Sequence, residues 1–324
     1  MRSEKASVAA PIVFGEALVD VFGELLKPGG APFNVACHLA ALGLTPLLIT
    51  GIGNDDAGHL LRETAGRFGL SLQAAQLAPR SARVEVHEGT DGHRFSIPTD
   101  QAFDRIDARE ALQAAAVEDG PRWLYFGTLA LRQSTTRSTL AALRARRRYR
   151  TFVDLNWREA GPSPEVILEL LQDIDVLKVS DAELDQLCGW LALSQSSSPP
   201  VAGEQRSAVA ALCQRVGARY LLVSHGAEGA AAWDAAGYCI ARERPPRVPV
   251  LRDTVGAGDA FSALMFAGLL MEQPVASTLG QAVAFASLSC SWRGALPEVT
   301  GLYDPWRIRL AIDAPTPSPD LPAR

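Results

Sequence analysis

The chain has 324 residues, 48% of them hydrophobic, and a formal net charge of -5. That length and apolar content bury a large core, and the acidic balance lacks the basic field that nucleic-acid binding uses. No stretch offers about 18 uncharged apolar residues in a row, so no membrane span is expected.

MRSEKASVAAPIVF carries early charges and no clean apolar leader with a cleavage site, so the protein is expected to be cytoplasmic and soluble. IVFGEALVDVF (12–22) predicts a first strand interrupted by Gly15 and Glu16. LLITGIG (47–53) predicts a short apolar strand. DAGHLLRETAGRFG (56–69) has helical spacing, with Leu60, Leu61, Ala65 and Phe68 on one side. RVEVHEGTDGHRFSIP (83–98) alternates in period two around Gly89-Thr90-Asp91-Gly92 and predicts a hairpin. WLYFG (123–127), TFVDL (151–155), DVLKVS (175–180) and RYLLVS (219–224) are continuous apolar runs, as strands buried on both faces of a parallel sheet require. Helical stretches lie between them, at 165–174 and 205–217 for example. The alternation predicts an α/β fold, a mostly parallel central sheet with helices on both faces.

Arg144, Arg146, Arg147, Arg148 and Arg150 form the one basic run. It falls where a helix should end, and cations favour the C-terminal dipole there. SQSSSPPVAG (194–203) is polar and proline-rich and is expected to be a surface connection. DAPTPSPDLPAR (313–324) has four prolines and is expected to be a disordered tail. The five cysteines are odd in number, widely spaced and without CxxC. That argues against a disulfide framework or structural zinc and for small core residues.

The most informative segment is Asp253-Thr254-Val255-Gly256-Ala257-Gly258-Asp259-Ala260-Phe261, followed by the helical SALMFAGLLM. A glycine-rich turn opens directly onto a helix N-terminus, where backbone amides and the helix dipole favour negative charge. Such a site suits a phosphate, or the charge that develops in phosphoryl transfer. Asp259, in the first turn, is placed to accept a proton from a hydroxyl above the amides. The plainer alternative is a capping aspartate. GxxxxGK[ST] does not occur, and Asp56 stands where a GxGxxG at Gly51 needs its last glycine. A nicotinamide dehydrogenase is therefore disfavoured.

DTVGAGDAF resembles the C-terminal signature of the PfkB-type (ribokinase-like) carbohydrate kinases. Gly29-Gly30-Ala31-Pro32-Phe33-Asn34-Val35-Ala36, then Gly43 and Gly53, resembles the N-terminal GG-x-x-x-N-x-A pattern of the same family. The resemblance runs over about 12–312 and implies a ribokinase-like fold, a single kinase domain over 1–312. A small, reduced β lid is expected from about 20–32 and 83–98, because only eight residues separate Asp20 from Gly29. It implies ATP and Mg2+, with K+ as a further candidate, and a small sugar substrate. The expected assembly is a monomer or homodimer.

The resemblance also assigns residues. GEALVD looks like the fructokinase form, with Asp20 binding sugar hydroxyls, Gly30 admitting the sugar close to the backbone, and Asn34 supplying donor and acceptor. Asn34 as N-cap of the helix NVACHLAAL is the plainer reading, and it could hold at the same time. Arg94 on the hairpin stands where fructokinase-like members carry a substrate-facing arginine, and a solvated strand arginine is the alternative. Asp154-Leu155-Asn156-Trp157-Arg158 resembles a D-x-N-x-R segment, with Asn156 near the substrate and Arg158 near the transferred phosphate. Strand alternation would put Asp154, Asn156 and Arg158 on one side. Lys178-Val179-Ser180-Asp181-Ala182-Glu183 resembles the magnesium-associated N-x-x-E segment, with Ser180 for asparagine and Glu183 acting through water. Ser180 or Asp181 as a helix cap is the plain alternative. Ser224, Gly226 and Gly229 resemble the nucleotide-binding T-x-G-x-x-G loop, and Thr254 joins that set. In the mechanism implied, Asp259 is the base, the amides of Gly256, Ala257 and Gly258 hold the developing charge, and Arg158 assists. Fructose is the first acceptor. 2-Keto-3-deoxygluconate, ribose, a nucleoside such as adenosine, or a non-catalytic sugar- or nucleotide-binding regulator are the alternatives.

Overall fold

The computed structural model describes residues 9–89, 92–116, 123–146, 149–193, 202–248 and 250–312. The proposed tail, residues 194–201 of the expected connection and the tip of the hairpin lie outside them. The strands are β1 (Ile12–Phe14), β2 (Leu18–Phe22), β3 (Leu25–Gly29), β4 (Leu47–Ile49), β5 (Gly51–Gly53), β6 (Gln76–Ala78), β7 (Ala82–Gly89), β8 (Gly92–Ser96), β9 (Trp123–Phe126), β10 (Arg150–Asp154), β11 (Val176–Ser180), β12 (Tyr220–Ser224), β13 (Ala230–Asp234) and β14 (Cys239–Glu243). The helices are α1 (Ala31–Ala41), α2 (Asp56–Arg67), α3 (Ala108–Ala114), α4 (Ser134–Arg146), α5 (Pro164–Leu170), α6 (Asp181–Trp190), α7 (Ala202–Val216), α8 (Ala257–Leu270), α9 (Val275–Ser289) and α10 (Asp304–Arg309).

Eight strands form the central sheet in the order β14-β13-β12-β11-β10-β9-β1-β4. From β4 to β12 all pairings are parallel, and β13 and β14 add an antiparallel edge. The apolar runs are buried throughout because alternate residues feed two different cores. Val13, Leu48, Tyr125, Phe152 and Leu222 pack on one face with α1, α8 and α9. Phe14, Ile49, Phe126, Val153 and Leu221 pack on the other with α3 to α7. Helices therefore cover both faces, as the alternation predicts.

A second sheet, ordered β3-β2-β7-β8, draws on both segments expected to form the lid. It has four strands although the β2–β3 connection is only two residues long. The interrupted first strand proves to be two strands in two sheets. The break at Gly15-Glu16-Ala17 is the crossover between them. LLITGIG divides in the same way: β4 joins the central sheet, while β5 pairs with β6.

Arg144 and Arg146 end α4 as expected, and Arg147 and Arg148 lie outside the described residues. Arg144 donates to the carbonyls of Leu170 and Gln172 at the end of α5, so it caps a neighbouring helix as well. Cys37, Cys188 and Cys213 are buried thiols, Cys290 is half-buried, and Cys239 is exposed on the edge strand β14.

Candidate active site

The carboxyl ends of β1, β10, β11 and β12 point to one edge of the sheet, the edge on which α/β proteins bind ligands. The N-termini of α1 and α8 meet there. Gly256 is the N-cap of α8 with φ 79, a left-handed conformation that suits glycine. A Cβ at this position would stand 2.4 Å from the Cα of Ala295. The Gly294-Ala295 turn thus presses directly on the loop. Asp253 fastens the two together: its Oδ2 accepts from the Gly294 amide at 2.8 Å and its Oδ1 from the Val255 amide at 3.0 Å. Thr254 is exposed, and its carbonyl accepts from the Ala257 amide at 3.2 Å. The amides of Gly258 and Asp259 have no backbone acceptor among the described residues, as expected for the first turn of a helix.

Asp259 does not cap its own helix. Its Oδ2 accepts a 2.7 Å hydrogen bond from Asn34 Nδ2, across 225 residues of chain. Asn34 is not an N-cap either. Gly30, with φ 100, holds that position, and a Cβ on it would lie 2.6 Å from the Glu16 carbonyl. Asn34 is 4% exposed, and its Oδ1 has no partner among the described residues. The two family-like motifs therefore touch, and an acceptor oxygen is left free beside the aspartate.

Burial pushes the Asp259 carboxyl up to about 6. The nearby Asp154 charge adds to the rise, while the Asn34 hydrogen bond, Lys178 and Arg158 oppose it. Asp20, on β2, also rises to about 6 through burial, opposed by Lys27 and Arg158 and reinforced by Asp259. Asp20, Arg158 and Asp259 are thus near enough for charge on one to act on another.

The D-x-N-x-R segment departs from the alternation expected of it. β10 ends at Asp154, and Asn156 sits at φ 37, so the three side chains are not placed by strand geometry. Asp154 is buried under the site. It accepts from Lys178 Nζ at 3.0 Å and from Ser262 Oγ at 2.7 Å. Asn156 is half-buried and Arg158 exposed. Lys178 is 6% exposed, and its Nζ lies 3.5 Å from where a Cβ on Gly258 would be. Burial pulls the Lys178 ammonium down, but the Asp154 and Glu183 carboxylates outweigh it and hold the pKa above its ordinary value. A fixed positive charge thus lies beneath the open end of α8. Lys178 and Ser262 were missed as functional candidates because nothing in their local sequence shows that they share Asp154.

Ser180 caps α6 in a capping box with Glu183. The Glu183 Oε2 accepts from the Ser180 amide at 2.7 Å and from its hydroxyl at 2.9 Å, and Oε1 accepts from the Trp157 amide at 2.8 Å. With three donors on it, this carboxylate suits a cation held through water rather than direct ligation. No cluster of three or more metal-ligating side chains occurs among the described residues.

Ser224 ends β12 in register with Ser180 on β11, and its hydroxyl donates to the Val179 carbonyl at 3.3 Å. Gly226 and Gly229 bound a short turn that closes through the Gly229 amide on the Gly226 carbonyl at 3.2 Å. This loop stands beside the Glu183 segment. His225 Nδ1 lies 2.6 Å from Asp181 Oδ1 and joins the two. Arg94 lies on β8 opposite His87, and its side chain is outside the described residues.

Residues 10–299 match the family model described as pfkB family carbohydrate kinase. A fructokinase from Klebsiella pneumoniae is 32% identical over 273 residues, covering 79% of this chain and 83% of that protein. An aminoimidazole riboside kinase from Salmonella typhimurium is 29% identical over 307 residues, 88% of this chain and 90% of that protein. Among solved structures, a fructokinase with bound ATP from Xylella fastidiosa superposes with a TM-score of 0.75 at 22% identity, covering 93% of this chain and 99% of that one.

Proposed function

The chain belongs to the pfkB family of carbohydrate kinases, and from that premise we propose that it transfers the γ-phosphoryl group of ATP to a hydroxyl of fructose. The fructokinase relatives support the choice of acceptor. The observation that carries the catalytic reading is the Asn34–Asp259 hydrogen bond at the mouth of α8.

In this mechanism Asp259 takes the proton of the attacking hydroxyl, and Asn34 fixes the rotamer of its carboxylate. A pKa near 6 suits the task. The group is ionised at neutral pH yet remains a better base than an ordinary aspartate. Asp20, the Gly30 backbone, Asn34 and Asn156 hold the sugar. The second sheet, carrying Asp20 and Arg94, is the lid that excludes water, and the kinase domain spans 1–312. The Gly258 and Asp259 amides meet the charge that develops on the phosphoryl oxygens, with Gly256 shaping the turn. Ala257 serves the turn rather than the charge, because its amide is already bonded to the Thr254 carbonyl. Lys178 from below and Arg158 from the open side add positive potential. Ser224, Gly226, Gly229 and Thr254 line the nucleotide side. A hydrated magnesium ion fits beside Glu183 and would neutralise phosphate charge. A monovalent cation such as potassium would sit at the loop that Asp253 ties to Gly294.

ADP release from ATP, magnesium and potassium, measured across a panel of fructose, ribose, 2-keto-3-deoxygluconate and nucleosides, tests the proposal. Fructose should give the highest kcat/KM, and preferred turnover of a riboside would transfer the assignment to that acceptor. ATP bound without turnover on any of them would point to a regulator.

The pH profile is a second expected result. Only ionised Asp259 accepts the proton, so kcat should fall as pH drops through about 6. A carboxylate with an ordinary pKa would hold its activity down to about pH 4. A flat profile from pH 7.5 to 5 would refute the assignment of the base.

A further inference from the structure

Glu16 lies in the crossover between β1 and β2, between the central sheet and the sheet proposed as the lid. It is 2% exposed, and its Oε2 has no hydrogen-bond partner among the described residues. Buried polar atoms in folded proteins nearly always have partners, and an orphaned acceptor is destabilising. Asn34 Oδ1 is orphaned as well. Both residues adjoin Gly30: the Glu16 carbonyl presses on it, and the Asn34 amide donates to its carbonyl at 2.9 Å. The charges of Asp259 and Arg158 both act on the Glu16 carboxyl. Two unsatisfied oxygens thus belong to residues that flank Gly30, and one of those residues is bonded to the proposed base.

We propose that Glu16 is a specificity-determining residue of the acceptor pocket, with its Oε2 bonding one hydroxyl of the sugar beside the hydroxyl taken by Asn34 Oδ1. The inference rests on the kinase reading above. A polyol is the ligand class that satisfies two neighbouring orphan oxygens at once. Seclusion from bulk water makes such a contact selective, because a substrate lacking the hydroxyl leaves the oxygen unpaired again. Burial pushes the Glu16 carboxyl up to about 7. The amides of Glu16 and Ala31 and the Arg158 charge oppose the shift, and Asp259 reinforces it. Near neutrality both forms are present, and both can bond a hydroxyl: the carboxylate accepts from it, and the acid donates to it.

A competing role is that Glu16 only braces the N-terminus of α1 through the Ala31 amide. Hydroxyl-by-hydroxyl discrimination separates the two. Glu16→Met removes the polar group at similar length. Glu16→Gln keeps a carbonyl for the Ala31 amide and changes only the free position, so it serves even where the Met variant folds poorly. The probes are D-fructose and its monodeoxy analogues, with kcat/KM, the KM for ATP and Tm recorded for each protein. In the wild type, one analogue should lose about tenfold or more relative to fructose because its missing hydroxyl leaves Oε2 bare. That penalty should vanish in Glu16→Met and change in size in Glu16→Gln, whose amide can only donate to the hydroxyl where the carboxylate accepts, while penalties at the other hydroxyls and the KM for ATP stay unchanged. Variants in which every analogue keeps its wild-type penalty, or in which all sugars weaken uniformly as Tm falls, would overturn the inference and leave the kinase reading intact. A wild-type protein that phosphorylates no sugar would overturn both.

Discussion

Asp259→Asn should lower kcat about 10²- to 10⁴-fold while leaving sugar and ATP affinities close to those of the wild type. The geometry makes the substitution a clean probe. An asparagine oxygen at the same place still accepts from Asn34 Nδ2, so the 2.7 Å contact between the two motifs survives. What disappears is the ability to take a proton. The calorimetric prediction has its own sign. The folded-state pKa of about 6 lies above the ordinary value of 3.8, so the folded protein binds the proton more tightly than the unfolded chain. Stability contributed by this group is therefore present at low pH and lost as pH rises through about 6. Removing the carboxyl should leave Tm at pH 7.5 unchanged or raised. An aspartate that served only to cap α8 would behave in the opposite way, with Tm falling and turnover hardly affected. Coupled ADP release together with differential scanning calorimetry distinguishes the two. Near-normal turnover would remove Asp259 from the role of base.

The central sheet was legible because its strands are buried on both faces, which leaves uninterrupted apolar runs in the sequence. β13 was not, since AAAWD lacks the β-branched residues that mark a strand and becomes one by pairing antiparallel with β12. The division of 12–22 between two sheets was equally hidden. IVF and LVDVF have the same strand character, and only tertiary pairing decides which sheet each joins. At the site, local patterns exposed the glycine turn, Asp259, Asn34 and the Ser180–Glu183 cap. The buried pairings among Asp154, Lys178 and Ser262 span 24 and 108 residues, and no local spacing carries them. Asn156 failed for a related reason. Alternation holds only while the backbone stays extended, and β10 stops two residues earlier. Glu16 was visible as an interruption of a strand, but only the folded chain shows it secluded with a bare oxygen.

Gly256→Val should abolish most turnover without unfolding the protein. The position has two independent constraints. Its φ of 79 disfavours any L side chain, most of all a β-branched one. Any Cβ would also have to occupy space 2.4 Å from the Ala295 Cα and 2.5 Å from its Cβ. The neighbour is backbone, itself fastened through the Asp253–Gly294 hydrogen bond, so the loop rather than the turn must yield. Displacing the loop moves the Gly258 and Asp259 amides away from the position where phosphoryl charge develops. Losing one such donor elsewhere costs about 10²- to 10³-fold in kcat, and here the aspartate is displaced with them. Global stability should suffer far less, because α8 is anchored by Phe261, Leu264 and Phe266 in the core behind. Leu264, which is fully buried there, belongs to that anchor. The expected signature is a kcat reduced at least as much as in Asp259→Asn, a cooperative melt within a few degrees of wild type, and a raised KM for ATP. If the valine variant turns over normally, the amides at the mouth of α8 do not hold the transferred phosphoryl group. The positive potential would then have to come from Lys178 and Arg158 alone, and Lys178→Met would become the deciding variant.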